Sequence, residues 1–385
     1  MPMKVTSQFE CGNGKNIAEV APGHWRIEEV GEKPPYCKYF CVRLDAGDDG
    51  GPVRLDICPD PKLGDEGRVG MLEHYPSPLW FSDGDLGHWM HVTSRWPGAD
   101  SFGFDHVTTQ VVVPPHSSLY VASNVVLPWS RLTAWAAEMG ARGATVDSLG
   151  NSFEGREIPR LHIPATGSGK PLRAFVISGQ HPSEQCGPLA ACGIAEFLCS
   201  RHPEAKAIRE RCDTWIVPMI NVDGNAHGRN GWTMEDINPF PDFAGTCEGQ
   251  SPKGTEDRLL WPWLAGSIRP NVSLHFHGYL GRRGFAEPPY DGCYVLKEPE
   301  RVFSAAERAE QYRAVCDALY WDTAALSARA HANPLGPESL DYNLARACDT
   351  LAVLYEINHG FCGVQGARRK GADVFRAVMR AALAT

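Results

Sequence analysis

A chain of 385 residues, 43% hydrophobic and 22% charged, has the composition of an ordinary soluble globular protein, and it exceeds the usual size of a single core, so two domains are expected. A formal net charge of -9, from 37 Lys and Arg against 46 Asp and Glu, leaves no basic footprint for nucleic acid or an acidic membrane. No run approaches a membrane-spanning helix, and residues 1–15 lack the apolar core of a signal peptide, so a cytoplasmic location is expected.

From Met1 to about Val126, Gly- and Pro-rich turns separate short β-prone runs: TSQFE, GHWRIEEV, KYFCVRLDA, PVRLDI, HWMHVTS, TTQVVVP and SLYVAS. No helical period interrupts them. Residues 1–126 are therefore expected to form an antiparallel β-sandwich domain, with Trp25, Trp80, Trp89 and Trp96 filling its core. Pro128-Trp129-Ser130 opens a helix over RLTAWAAEM with Ser130 as its N-cap. Residues 127–385 alternate in texture. Strand-like runs LRAFVIS, DTWIVPMI, NVSLHF and TLAVLYEI are interleaved with helical patterns over 189–198, 304–330 and 367–384. That alternation predicts an α/β domain with a mixed or largely parallel sheet flanked by helices. Thirteen cysteines, an odd number with no C-x-x-C among them, read as free thiols in a reducing compartment.

The four runs end in polar residues: Gln180-His181, Asn221, His275-Phe276-His277 and Glu356-Ile357-Asn358. Open α/β sheets place ligands beyond the carboxyl ends of their strands, so these segments converge on one crevice. His181 and Glu184, three apart on a loop, can grip one side of a divalent metal. His275 and His277 share one face of a strand, and either can complete a His-Glu-His zinc site; without the H-x-x-E they read as two histidines satisfied at a strand end. Glu356 is a candidate base for a metal-bound water, or else one half of an ion pair with Arg346. Arg229 can serve as a fixed cation for an oxyanion. Asn238 can hydrogen-bond a substrate carboxylate or carbonyl. Taken singly, Arg229 and Asn238 are ordinary loop and turn residues.

In order and rough spacing, H-P-S-E, N-V-D-G with G-R and D-I-N, S-L-H-F-H and Y-E-I-N resemble the zinc carboxypeptidase family typified by carboxypeptidase A, over about residues 179–360. F-E-C-G-N near the start and Y-V-A-S-N-V-V-L-P-W-S-R-L before the α/β part resemble the cytosolic carboxypeptidase branch. Members of that branch carry an N-terminal β-sandwich and include enzymes that trim glutamate from protein tails. The resemblance implies one zinc per chain held by His181, Glu184 and His275, with His277 behind them. It also implies Glu356 as general base, Arg229 as the cation on the scissile carbonyl, and Asn238 as the first residue of an Asn-Arg pair for the substrate's terminal carboxylate. The implied partner is a peptide or protein-tail substrate.

This chain departs from the family pattern at the substrate end. Pro239 stands where the pair's arginine is expected and offers neither charge nor bidentate donors; Arg282 or Arg283 can substitute. Asn333-Pro334-Leu335-Gly336 stands where a mobile tyrosine is expected, Tyr342 is out of register for it, and Leu340 falls near the specificity pocket. The resulting expectation is a zinc-dependent metallocarboxypeptidase that hydrolyses a C-terminal or side-chain-linked peptide bond through a metal-activated water. The alternatives are a zinc amidohydrolase or deacylase for a carboxylate-free substrate, and a catalytically silent zinc-binding interaction module.

Overall fold

The computed structural model describes residues 2–32, 39–67, 79–84, 86–92, 94–95, 106–279, 291–324, 331–358 and 362–384. The N-terminal part forms two five-stranded sheets. One, antiparallel throughout, has the order Lys4–Thr6, Cys41–Asp45, Ser118–Ala122, Leu79–Ser82, Met90–Val92. The other has the order Lys15–Ala21, His24–Glu28, Gly51–Cys58, Val107–Val113, Ser94–Arg95. Alternation of burial, as at Val107, Thr109, Val111 and Val113, gives each sheet an inner face. Val42, Leu44, Leu119 and Val121 of the first sheet meet Val53, Leu55, Ile57 and Val107 of the second in one core. The expected sandwich is present, with one difference: His24–Glu28 pairs parallel with Gly51–Cys58. Between those strands the chain visits the other sheet at Cys41–Asp45, so it returns in the original direction rather than by a hairpin.

The second part is built on eight strands: β1 (Thr145–Asn151), β2 (Glu157–Ile163), β3 (Leu172–Ser178), β4 (Cys212–Val217), β5 (Val272–Tyr279), β6 (Gly292–Val295), β7 (His331–Pro334) and β8 (Leu351–Asn358). They lie in the order β1-β2-β4-β3-β5-β8-β6-β7. The four strands β4, β3, β5 and β8 are mutually parallel. Their continuous apolar runs are what a strand covered on both faces requires. β1, β2 and β6 add antiparallel pairings, so the sheet is mixed, as predicted.

Among the described residues eight α-helices accompany the sheet: α1 (Trp129–Ala141), α2 (Cys186–Leu198), α3 (Pro203–Arg209), α4 (Val222–Ala226), α5 (Thr255–Pro262), α6 (Ala306–Ala324), α7 (Leu340–Cys348) and α8 (Val364–Ala384). α2 and α8 touch backbone to backbone. A Cβ at Gly193 would fall 2.0 Å from the Arg368 carbonyl oxygen, so no side chain fits there. Ser130 does not cap α1. Pro128 holds the N-cap position, and the Ser130 N–H donates 2.9 Å to Glu10 Oε1.

The principal core crosses the expected boundary at residue 126. Cys11, Tyr39, Cys41, Trp80, Trp89 and Ala122 share it with Leu132, Phe175 and Tyr355. Trp80 and Trp89 are thus buried, but between the two parts; Trp25 packs on the sandwich core, and Trp96 lies outside the described residues. Among the described residues the cysteines are free thiols, and no helix is long and apolar enough to cross a membrane.

Candidate metal centre

β3 ends at Ser178, and Gly179 turns the chain with φ 73° against the Met219 backbone. That left-handed turn sends H-P-S-E onto the loop before α2, beyond the carboxyl edge of the sheet. There His181 Nδ1 lies 2.9 Å from Glu184 Oε1, and His277 Nδ1 lies 2.8 Å from Glu184 Oε2. Glu184 Oε2 also accepts from the Gly278 N–H at 3.1 Å. Among the described residues, His181, Glu184 and His277 form a group whose donor atoms all fall within 4.8 Å of one another.

The structure brings His277, and not His275, to Glu184. Both face the same side of β5, but His277 is one pleat nearer the carboxyl edge, in register with Glu356. His275, set back inside the sheet, turns to α7: its Nδ1 lies 2.8 Å from Asp341 Oδ2 and its Nε2 2.9 Å from His277 Nε2. The residue expected as ligand, His275, therefore stands behind the group that His277 completes. Depth along the strand decides between the two, and the Gly278 N–H bond to Glu184 fixes it.

Electrostatics suit a cation. Burial would raise the Glu184 carboxyl, but His181 and His277 beside it more than offset that and hold it well below the usual carboxylate range. Burial and the neighbouring His275 lower His277 to about 4. A carboxylate and an uncharged imidazole are the protonation states that metal ligation needs. The Asn238 side chain tests the fit on the other side. Its Oδ1 accepts from the Phe240 N–H at 3.1 Å, which identifies that atom as the oxygen, and it lies 3.2 Å from His181 Nε2. An amide oxygen only accepts, so Nε2 carries the proton. Nδ1 faces a carboxylate, which also only accepts, so it donates from a charged ring or, in a neutral ring, shares a cation with Glu184. Acceptors facing one another at such distances fit a shared divalent ion, and two nitrogens with one carboxylate are a zinc donor set.

The remaining candidates fall as follows. Glu356 pairs in register with His277 on one side and Gly292 on the other, so its side chain leaves the sheet on the face that carries His277. The alternative partner Arg346 is engaged elsewhere, 2.7 Å from Glu248 Oε1. Arg229 donates from Nε to Glu32 Oε1 and from Nη2 to Asp236 Oδ1, each at 2.7 Å. The next residue's carbonyl, of Asn230, accepts from the Ser183 N–H at 3.1 Å, which sets this loop against H-P-S-E. Leu340 is buried in the principal core, and Tyr342 packs on it. Arg282 and Arg283 lie outside the described residues. Beside Pro239, the Phe240 ring centroid sits 5.9 Å from His277 and 6.3 Å from Tyr294, an aromatic wall where a guanidinium was expected.

Two participants were not foreseen. Glu32 is 197 residues from Arg229 in sequence, and no local pattern announces it. Asp341 sits in the first turn of α7 behind the N-cap Ser339, a recognisable S-L-D helix start, but its contact with His275 is tertiary.

A family model described as zinc carboxypeptidase matches residues 132–254. Inactive metallocarboxypeptidase ECM14 of Ajellomyces capsulatus (strain NAm1 / WU24) is 32% identical over 161 residues, 40% of this chain and 24% of that protein. Cytosolic carboxypeptidase 6 of Mus musculus is 34% identical over 82 residues, 20% of this chain and 15% of that protein. The chain therefore spans a quarter or less of the length of these curated relatives. A metallo-carboxypeptidase from Burkholderia cenocepacia superposes with TM-score 0.79 at 17% identity, covering 100% of both chains. One from Pseudomonas aeruginosa, in complex with (2-guanidinoethylmercapto)succinic acid, gives 0.75 at 17% identity over 98% of both. At such identity the likeness is one of fold.

Proposed function

We propose that this chain, whose residues 132–254 match a zinc carboxypeptidase family model, is a zinc-dependent hydrolase that cleaves a C-terminal or side-chain-linked peptide bond. The observation that carries the reading is the convergence of His181, Glu184 and His277 beside Glu356 at the carboxyl edge of one sheet. A zinc ion held by those three residues supplies Lewis acidity and makes water a nucleophile at neutral pH. Glu356 takes the proton of the attacking water and returns it to the departing nitrogen. Arg229, held by Glu32 and Asp236 and with Nη1 against Met234 Sδ, is the cation for the developing oxyanion. Asn238 orients His181 and, from the same loop, faces the substrate.

A second reading has its own support. Proline and an aromatic ring at 239–240 favour an amide or ester substrate without a free terminal carboxylate, since among the described residues apolar surface stands where the bidentate cation is expected. The relatives named inactive suggest a silent zinc-binding module; a glutamate in register with the metal group speaks for chemistry, because metal retention alone needs no base. Metal analysis is expected to find one zinc per chain. Matched peptides with free and amidated C-termini then separate the two substrate classes, and a zinc-loaded chain that cleaves neither would overturn the hydrolase reading.

A further inference from the structure

Behind the metal group lies a closed line of polar contacts with no role in the chemistry just described. Asp341 Oδ2 meets His275 Nδ1 at 2.8 Å, and His275 Nε2 meets His277 Nε2 at 2.9 Å. All three side chains are almost fully buried, at 0%, 0% and 2% exposure, so water cannot replace any member. Asp341 lies in the first turn of α7, whose N-terminus favours a negative charge, and Ser339 Oγ caps that turn by accepting from the Tyr342 N–H at 3.2 Å.

With a cation shared by His277 Nδ1 and Glu184, the donor and acceptor roles along this line follow one after another. A carboxylate only accepts, so His275 Nδ1 donates. A neutral His275 then has its lone pair on Nε2 and accepts from His277 Nε2–H. With its proton on Nε2, His277 presents a bare Nδ1 to the place where His181 and Glu184 converge. Burial of a second carboxylate two imidazoles behind a divalent cation also offsets the charge that Glu184 alone leaves uncompensated.

We propose that Asp341 and His275 act as a positioning relay that locks His277 in its metal-ligating tautomer and thereby sets the affinity of the site. His275 is in this view a positioning residue and not a ligand. The inference rests on the metal reading given above.

The test is equilibrium zinc affinity of the full chain, measured by competition with a chromophoric chelator. His275→Phe and Asp341→Asn are each expected to weaken zinc binding 10–100-fold, the usual cost of losing a ligand's hydrogen-bond partner. The double variant should be little worse than either single one, since both break the same line. Ring-nitrogen NMR of the zinc-loaded unaltered chain needs no variant, and should find a proton on His275 Nδ1 and on His277 Nε2. Unchanged affinity in both variants, or a His275 without a proton on Nδ1, overturns the relay. So does abolition of binding by His275→Phe together with its survival in His277→Ala, because His275 would then be the ligand. Failure of the unaltered chain to take up zinc would instead overturn the metal reading itself, and this one with it.

Discussion

Glu356 and His277 are neighbours in register across β5 and β8, yet their loss should fail in opposite ways. Glu356→Gln keeps the shape and removes the proton acceptor. Zinc content is expected to stay at one per chain while turnover falls by about 10²–10⁴, the usual worth of a general base; unaltered kcat would remove Glu356 from that role. His277→Ala, by contrast, should lose zinc at metal concentrations that saturate the unaltered chain, with its far-UV spectrum retained. The candidate set was readable in the sequence because histidines two apart on a strand must share a face, and because H-x-x-E, weak alone, is followed in order by S-L-H-F-H and Y-E-I-N at the ends of strands. Which histidine reaches Glu184 was not readable. The period of two makes His275 and His277 equivalent to any local pattern, and only the depth of β5 relative to the loop after β3 separates them.

At the scale of elements, legibility followed burial. β3, β5 and β8, covered on both faces, announce themselves as unbroken apolar runs. β1 is half-exposed along its length, carries Gly150, and has no such signature. Contacts between distant loops are the least legible and among the most consequential. Glu32 Oε2 accepts from the Gly231 and Trp232 N–H groups and Oε1 from Asn230 N–H, at 2.9–3.0 Å, besides binding Arg229. Glu32→Ala leaves those donors unmatched and should cost about 2–3 kcal/mol in denaturant unfolding, with faster amide exchange over 230–232; an unchanged midpoint would show that the loop holds its own shape.

The start of α5 carries the opposite kind of group. Burial, then Asp242 and Glu256 nearby, push the Asp257 carboxyl well up, so the folded chain keeps a proton that the unfolded chain has released. Stability from this group is therefore lost as pH rises above about 4, the ordinary Asp value. Asp257→Asn should raise the melting temperature by a few degrees at pH 7, and the gain should vanish as pH falls towards 4.

For the molecule as a whole, the question is whether the sandwich is an appendage or part of the site. Composition and length predict two domains, and the sandwich does have a core of its own around Leu44, Leu55 and Val121. A second core, however, runs through Tyr39, Cys41 and Trp80 into Leu132 and Phe175. Polar contacts follow the same route. The Cys11 N–H donates 2.9 Å to the Ala226 carbonyl, Asn13 Nδ2 2.8 Å to that of Gly228, and Asn124 Nδ2 3.0 Å to that of Ser183, next to Glu184 of the candidate metal group. Groups so connected should not unfold separately. Calorimetry of the full chain is expected to show one transition. Zinc at about 100 times its dissociation constant should stabilise the folded state by about 2.7 kcal/mol. If the two parts are coupled, that shift must appear equally in a probe of the sandwich, such as exchange at Val53–Ile57, and in one of β3. A sandwich whose exchange ignores zinc while β3 responds would mean that the shared core transmits nothing, and that the sandwich merely stands beside the α/β part.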